Sequence, residues 1–467
     1  MVSTQKSTRT GWWISLAVFL LVVVAVIVAA LVWNAASRYE VEPAAAPDTS
    51  EAAPVMLPPE DSTGEGANLP DVKAAVSKTS KDPALGELSA EVSDAATGQT
   101  LWAENENKLR TPASVTKLVT GAAATLANDG DESLETYVVQ EKPGELILVG
   151  EGDITLSAEP DSGYFEGAAS MRELAEQLRP QLEGKDIHRI VVDNSVREGE
   201  VFNKTWDTGD IPNGNVANLD SVMLNAARIE PLDNYSPRSM EPAKDAANVL
   251  AAQLGLKDVD VDVEWSTAAT GMTASTRGNA NDSLTEGLTW LGGVHSAPLD
   301  TRIYEMLVHS DNLLAESIAR EVAEAHGSPR TFEGATTAAL EVLRESGLDL
   351  DNAVLKDNSG MSTESRLSAH HLDQVLSHKE LHPLLQQLPV GGVDGTLTQR
   401  YGEGSGSEDS GGWVHAKTGT LSGVNTLAGT VTTQSGRVLT FAFLASGDDP
   451  TASREALDRL ANSLRSA

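Results

Sequence analysis

Ser114-Val115-Thr116-Lys117 follows Pro112 and opens an apolar, Ala-rich run that continues to Leu126. A run of this composition behind a proline reads as a buried helix that begins near Ser114. Three residues apart on such a helix, Ser114 and Lys117 share one face, one turn apart. A serine hydroxyl attacks a carbonyl only when a base stands within hydrogen-bond reach, and Lys117 is placed to be that base. It must then be neutral part of the time, which burial and nearby cations such as Lys417 would promote. Taken alone the pair is a weak signal. Ser-x-x-Lys is expected about once by chance in a chain of this composition, and Ser3 with Lys6 makes a second copy.

Two more motifs follow in order, Ser310-Asp311-Asn312 and Lys417-Thr418-Gly419-Thr420. Ser310 and Asp311 read as N-cap residues of a helix that runs on through Leu313-Leu314-Ala315-Glu316. In a working site Ser310 would relay a proton to a leaving amine and Asn312 would hold the substrate backbone. Asp311 would then point away in a structural role. The Lys417 motif falls inside a strand, where a glycine is tolerated best if another backbone or a ligand approaches closely. A peptide laid along that edge would be held by main-chain hydrogen bonds. Lys417, Thr418 and Thr420 would meet its terminal carboxylate. The N–H groups of Ser114 and Thr420 are the expected oxyanion hole.

The rest of the chain places these motifs. Its 467 residues carry a net charge of −34, which argues against nucleic acid as a partner. With no cysteine, thiolate chemistry and cysteine-bound metals are excluded. From Ile14 to Val32 the sequence is almost wholly apolar and is bracketed by Trp12, Trp13 and Trp33, the pattern of a membrane-spanning helix. The expected order is a cytoplasmic tail at 1–13, a transmembrane anchor at 14–33 and a Pro- and acid-rich linker at 34–70. A cleaved export signal is the alternative to the anchor, and on either reading the chain after residue 34 is exported. Strands at 89–94 and 100–104 read as a hairpin, three antiparallel strands follow at 413–420, 424–433 and 438–446, and a helix closes the chain at 451–466. Both ends of this sequence can build one sheet with helices on its faces, an α/β (α+β) arrangement. The catalytic part is expected at 71–129 and 286–467, with one or two inserted domains at 130–285. His378 and His382 stand at helical ligand spacing but in a charged stretch, and read as a solvated helix end in preference to a metal site.

With these motifs the chain resembles the D-alanyl-D-alanine carboxypeptidase/endopeptidase family, the class C low-molecular-mass penicillin-binding proteins. The resemblance spans residues 71–467. It includes Leu148-Val149-Gly150-Glu151-Gly152-Asp153, Asp357-Asn358-Ser359-Gly360-Met361-Ser362 and Leu388-Pro389-Val390-Gly391-Gly392-Val393-Asp394-Gly395-Thr396-Leu397. It implies a transpeptidase/β-lactamase-like catalytic fold with an inserted region. It also implies Ser114 as the acylated nucleophile, Lys117 as general base, and Ser310 and Asn312 as the second catalytic element. Lys417, Thr418, Gly419 and Thr420 would form the substrate-binding strand. The implied reaction is cleavage of D-Ala-D-Ala in peptidoglycan stem peptides and of crosslinks, blocked by β-lactams, with no metal or organic cofactor. Ile154 stands where the family often has proline, and the family's tyrosine-containing segment is not evident near 213–220.

Three rivals share parts of this pattern. A class A-type β-lactamase would need a glutamate-activated water, and no Glu-x-x-Leu-Asn-like element follows Ser310. A catalytically silent wall-binding scaffold is disfavoured by three intact motifs. An esterase on the same fold would prefer small esters to D-Ala-D-Ala peptides.

Overall fold

The structure is a computed structural model and describes residues 69–270 and 287–467. The expected tail and anchor, and all but the end of the linker, lie outside the described residues. Among the described residues no helix is long and apolar enough to cross a membrane. The described residues hold ten strands, in chain order β1 Leu88–Asp94, β2 Thr100–Glu104, β3 Glu135–Gln140, β4 Glu145–Gly150, β5 Arg189–Asp193, β6 Asp260–Glu264, β7 Thr289–His295, β8 Val414–Leu421, β9 Val424–Thr432 and β10 Val438–Ala445. The helices of nine residues or more are α1 Thr116–Ala127, α2 Met171–Leu182, α3 Pro242–Leu254, α4 Leu299–His309, α5 Asn312–Ala325, α6 Phe332–Glu345, α7 Ala369–Ser377 and α8 Pro450–Leu464.

The first sheet is antiparallel, in the order β2-β1-β10-β9-β8. Its central strand β10 is buried along its whole length, because it is covered on both faces. Phe441 and Phe443 point to the C-terminal helix, where they join Leu457, Leu460 and Leu464. Ala442 and Leu444 point the other way and join the helical core. This is the period-two alternation of a strand with two apolar faces. The helical core explains the composition of α1: residues 116–124 are all buried, so the helix carries no polar stripe. It packs against α5 and α6, whose inward faces supply Ile318, Val322, Ala335 and Leu343.

The second sheet runs β6-β5-β4-β3-β7. Strands β4, β5 and β6 are parallel, joined through α2 and α3 as crossovers, and β3 pairs antiparallel with both β4 and β7. Leu174, Leu178, Ala246 and Leu250 of the two helices cover one face. Strand β7 lies beyond residue 285, where the sequence placed the end of the insertion. It pairs Glu135↔His295 through Gln140↔Thr289, so the second sheet is complete only at His295. Its Gly292-Gly293 pair and short apolar run gave no periodic signal to read.

Candidate active site

The turn that carries Ser114 comes first. Ala113–Val115 is a 3-10 turn and the α-helix starts at Thr116, slightly later than its composition suggested. Ala113 takes a left-handed conformation (φ 52°), which an L-residue keeps only when its surroundings fix it. They do so here. Thr426 Oγ1 donates to the Pro112 carbonyl at 2.9 Å, and Thr116 Oγ1 to that of Ala113 at 2.8 Å. Gly360 (φ 84°) passes so close that a Cβ there would sit 2.0 Å from the Ala113 oxygen. Ser114 is thereby held at the start of α1, half-buried at the cleft floor.

Lys117 is wholly buried, and its Nζ has three neighbours: Ser114 Oγ at 3.3 Å, Asn312 Oδ1 at 2.7 Å and the Ser359 carbonyl at 2.6 Å. The last two can only accept, because Asn312 turns its Nδ2 to the Asn215 carbonyl at 3.0 Å. A neutral amine would give its two N–H groups to these and leave its lone pair facing Ser114 Oγ. Burial pushes the Lys117 pKa down to about 8, against the opposing pull of Asp311, Asp357 and Glu316. Burial, and not the charge of Lys417, is thus the leading cause. Lys417, also buried, lies well below its ordinary value because of burial and then the nearby Lys117 and Arg400.

The Ser310 motif occupies a break between two helices. Ser310 is not an N-cap: it ends α4 in a left-handed conformation (φ 59°), and Asp311 alone caps α5 by accepting from Leu314 N at 2.8 Å. The break turns Ser310 Oγ to Lys417 Nζ at 2.9 Å and Asn312 to Lys117. Asp311 faces away and pairs with Arg228 at 2.8 Å, with both side chains buried. Burial alone would raise the Asp311 pKa, but Arg228 and Arg238 hold it below its ordinary value. Removing one partner of such a buried pair costs about 3–5 kcal/mol, so this contact fastens the segment around Arg228 to the motif.

Lys417-Thr418-Gly419-Thr420 lies on β8, at the edge of the first sheet. The early part of that edge is covered, since Gly391 N donates to the Val414 carbonyl and Ala416 N to that of Pro389, at 2.8 and 2.9 Å. What stays open is the stretch that carries the motif. A Cβ on Gly419 would lie 2.2 Å from Thr426 Oγ1 and 2.9 Å from Ser114 N, so glycine lets the strand run beside Ser114.

These eight residues border or underlie one cleft of about 450 Å³, which Asn215, Tyr235, Met361, Thr396, Arg400 and Arg454 also line. Arg400 is neutralised by Asp458 at 2.5 and 2.8 Å, while Arg454 is exposed at the rim. Thr396 Oγ1 meets Thr418 Oγ1 at 2.9 Å. Sequence reasoning missed the support behind Lys117. Buried Glu316 accepts from the N–H groups of Asn358 and Ser359 at 2.8 and 2.9 Å, fixing the carbonyl that Lys117 meets. Burial, with Asp357 beside it, pushes the Glu316 pKa up to about 7. Asp357 in turn accepts from Trp206 Nε1 and from the N–H groups of Gly360 and Ser362. The only signal for these groups was the Asp357–Ser362 motif itself. His378 and His382 stay away from this cleft and share no helix, because α7 ends at Ser377. Both are half-buried, not solvated, and His378 Nδ1 and His382 Nε2 are buried with no hydrogen-bond partner.

A family model for D-Ala-D-Ala carboxypeptidase 3 (S13) matches residues 72–237 and 232–466. The chain belongs to this family. Its relatives include the carboxypeptidase DacB of Mycolicibacterium smegmatis, 40% identical over 476 residues that cover 99% of this chain and 98% of the relative. The D-alanyl-D-alanine carboxypeptidase of an Actinomadura species is 29% identical, with 85% of each chain covered. Among solved structures, penicillin binding protein 4 of Haemophilus influenzae superposes with a TM-score of 0.63 at 20% identity, covering 85% of this chain and all of that one. That likeness supports the fold. The resemblance read from the motifs is to the family shown here, and the S13 chain is a serine-type D-Ala-D-Ala carboxypeptidase.

Proposed function

We propose that this S13 enzyme cleaves D-Ala-D-Ala through an acyl-enzyme on Ser114. Neutral Lys117 takes the Oγ proton as Oγ attacks the carbonyl carbon of the penultimate D-alanine. The oxyanion forms between the N–H groups of Ser114 and Thr420. Ser310, linked to Lys417, gives its proton to the departing amine nitrogen as the C–N bond breaks and the terminal D-alanine leaves; the proton that Lys117 took then replaces the one Ser310 gave, so Lys117 is neutral again to activate water. Water then releases the acyl group and restores Ser114. Lys417, Thr418, Thr420 and the rim guanidinium of Arg454 favour the substrate's terminal carboxylate. The bonding of Lys117 carries this reading: two pure acceptors and one hydroxyl are the surroundings a neutral amine base needs.

The substrate is the stem peptide of peptidoglycan, including crosslinks that end in a D-alanyl bond. A strained β-lactam amide would acylate the same hydroxyl. The apolar run at 14–33 anchors the chain to a membrane, and the catalytic part works on its outer side. The catalytic segments flank an inserted region that ends with β7. The test is to incubate the protein with benzylpenicillin and map the adduct by mass spectrometry, with Ser114→Ala as control. An adduct on the Ser114 peptide, absent from the control, is expected. No adduct on folded protein would overturn the assignment and favour the silent scaffold.

A further inference from the structure

A buried carboxylate ordinarily stands against a cation, because an unpaired charge is costly to take out of water. Asp357 is wholly buried, and among the described residues it forms no ion pair. Five donors surround it instead. Its Oδ2 accepts from Trp206 Nε1 at 2.9 Å, Ser359 Oγ at 3.1 Å and Ser362 N at 2.6 Å. Its Oδ1 accepts from Gly360 N at 3.2 Å and Ser365 Oγ at 3.3 Å. Donors alone suit a carboxylate, which can only accept. The surroundings hold it in place. Trp206 sits edge-to-face against Phe202 and Phe332, with ring centroids 5.5 and 5.3 Å away, and Asn203 Nδ2 donates to the Lys356 carbonyl at 2.8 Å.

One of the five bonds leads to Lys117. The Gly360 N–H and the Ser359 carbonyl are the two ends of one peptide group. Its N–H enters Asp357, and its oxygen receives Lys117 Nζ at 2.6 Å. The other charged groups around Lys117 make no such link. Glu316 holds the N–H groups of the two preceding peptides, with Arg320 4.0 Å behind it. Asp311 is turned to Arg228, and Lys417 is bonded to Ser310. Hydrogen bonds in series polarise one another, and the low dielectric of a buried site adds to the effect. A carboxylate pulling on the N–H therefore makes the carbonyl a stronger acceptor for the lysine.

We propose that Asp357 is a positioning residue for the reaction: through the Ser359–Gly360 peptide it aims Lys117 at Ser114 and stabilises the ammonium formed when Lys117 takes the serine proton. The inference rests on the reading of Lys117 as base. The proton moves from Ser114 Oγ to Lys117 Nζ, and the charge that appears there is met by a line of peptide and carboxylate. A buried aspartate does the same for the histidine of a serine-protease triad, by direct contact. The charge balance agrees with this role, since burial lowers the Lys117 pKa and Asp311, Asp357 and Glu316 oppose it.

The test follows the rate of benzylpenicillin acylation against pH, using the full chain. Asp357→Asn can keep its amide oxygen on Trp206 and Ser362 while its NH2 faces Gly360, which deletes the one bond in question. The rate on its alkaline plateau should fall about tenfold, the worth of one buried hydrogen bond. The midpoint should move at least about half a unit to lower pH, because Lys117 then holds its proton less tightly. Trp206→Phe removes a donor from the other oxygen, and should leave the midpoint in place and the plateau within about threefold. An unmoved midpoint in Asp357→Asn would overturn the proposal even if the rate fell, because a purely structural role leaves the proton affinity of Lys117 alone. The wild type supplies a second readout that needs no variant of Asp357 to fold. In protein labelled at the serine carbonyl carbon and the glycine nitrogen, the Gly360 amide proton should shift downfield as Lys117 gains its proton, and stay still in Lys117→Met. A Gly360 signal indifferent to pH in the wild type would likewise overturn the proposal. A wild type that forms no Ser114 adduct, or acylates equally fast from pH 6 to pH 9, would instead sink the reading of Lys117 on which the proposal rests.

Discussion

The two sheets treat their edges in opposite ways. At the outer edge of the second sheet, β7 is closed by side chains of α2: Gln177 Nε2 donates to Gly293 O at 2.9 Å, Gly293 N donates back to Gln177 Oε1 at 3.1 Å, and Gln181 Nε2 donates to Leu291 O. The other edge, β6, alternates Asp260, Asp262 and Glu264, and charge discourages further pairing. The outer edge of β8 is covered at Val414 and Ala416 and left open from Lys417 onward, beside Ser114. An unpaired edge is a liability in a soluble sheet, and a stretch left open on a strand that is covered just before it is suited to take an extended chain. The open part coincides with the motif.

The largest break in this contrast removes the chemistry while leaving the edge in place. Lys117→Met keeps the length of the side chain and deletes the proposed base. Acylation by benzylpenicillin should fall by about four powers of ten, measured as the rate of adduct formation. In the proposed mechanism the free amine is the active form, and it is the form present above its pKa. The acylation rate should therefore rise about tenfold per pH unit on the acid side and level off near pH 8. A rate flat from pH 6 to pH 9 would show that Lys117 is not the group that loses the proton.

A subtler break fills the gap between edge and nucleophile. Gly419→Ala places a methyl group against Thr426 Oγ1 and Ser114 N, which must part to make room. The expected result is a fall in acylation rate of about a hundredfold, since a displacement near 1 Å at the reacting groups costs about that much. Stability should drop by about 1–3 kcal/mol in denaturant unfolding, the usual range for overpacking. An acylation rate within twofold of wild type would mean the strand does not need its close approach to Ser114.

The contrast between the sheets also shows what the sequence could and could not tell. The hairpin β1–β2, the strands β8 to β10 and helix α8 were legible because each carries a clean local period bounded by turn residues. Strand β7 was not, because glycines weaken its pattern and its partner lies at Glu135–Gln140, far back in the chain. At the site, Ser114, Lys117, Ser310, Asn312 and Lys417 announced themselves by residue type and spacing. Their surroundings did not. Ser310 looks like a helix cap in sequence, but its left-handed φ is set by the junction of α4 with α5. Glu316 resembles any helical glutamate until Asn358 and Ser359 are brought to it from another segment. Arg228 pairs with Asp311 only because a segment distant in the chain folds back on the helix break. Local chemistry is written in motifs, whereas the groups that tune it arrive by long-range packing.

The smallest predicted effect opens the edge that the protein keeps shut. Gln177→Ala with Gln181→Ala removes three side-chain hydrogen bonds from β7 and touches nothing in the cleft. Each such bond contributes about 0.5–1.5 kcal/mol, and the exposed backbone groups at this edge recover part of that from water. The double variant should therefore be about 1–2 kcal/mol less stable in denaturant, with benzylpenicillin acylation within twofold of wild type. Its freed edge should also raise self-association at high concentration, read by sedimentation, as an unprotected strand invites pairing. If stability fell without any self-association, the glutamines would be acting through α2 packing alone. If acylation fell as well, the two sheets would be coupled, and the division of labour between a closed edge and an open one would not hold.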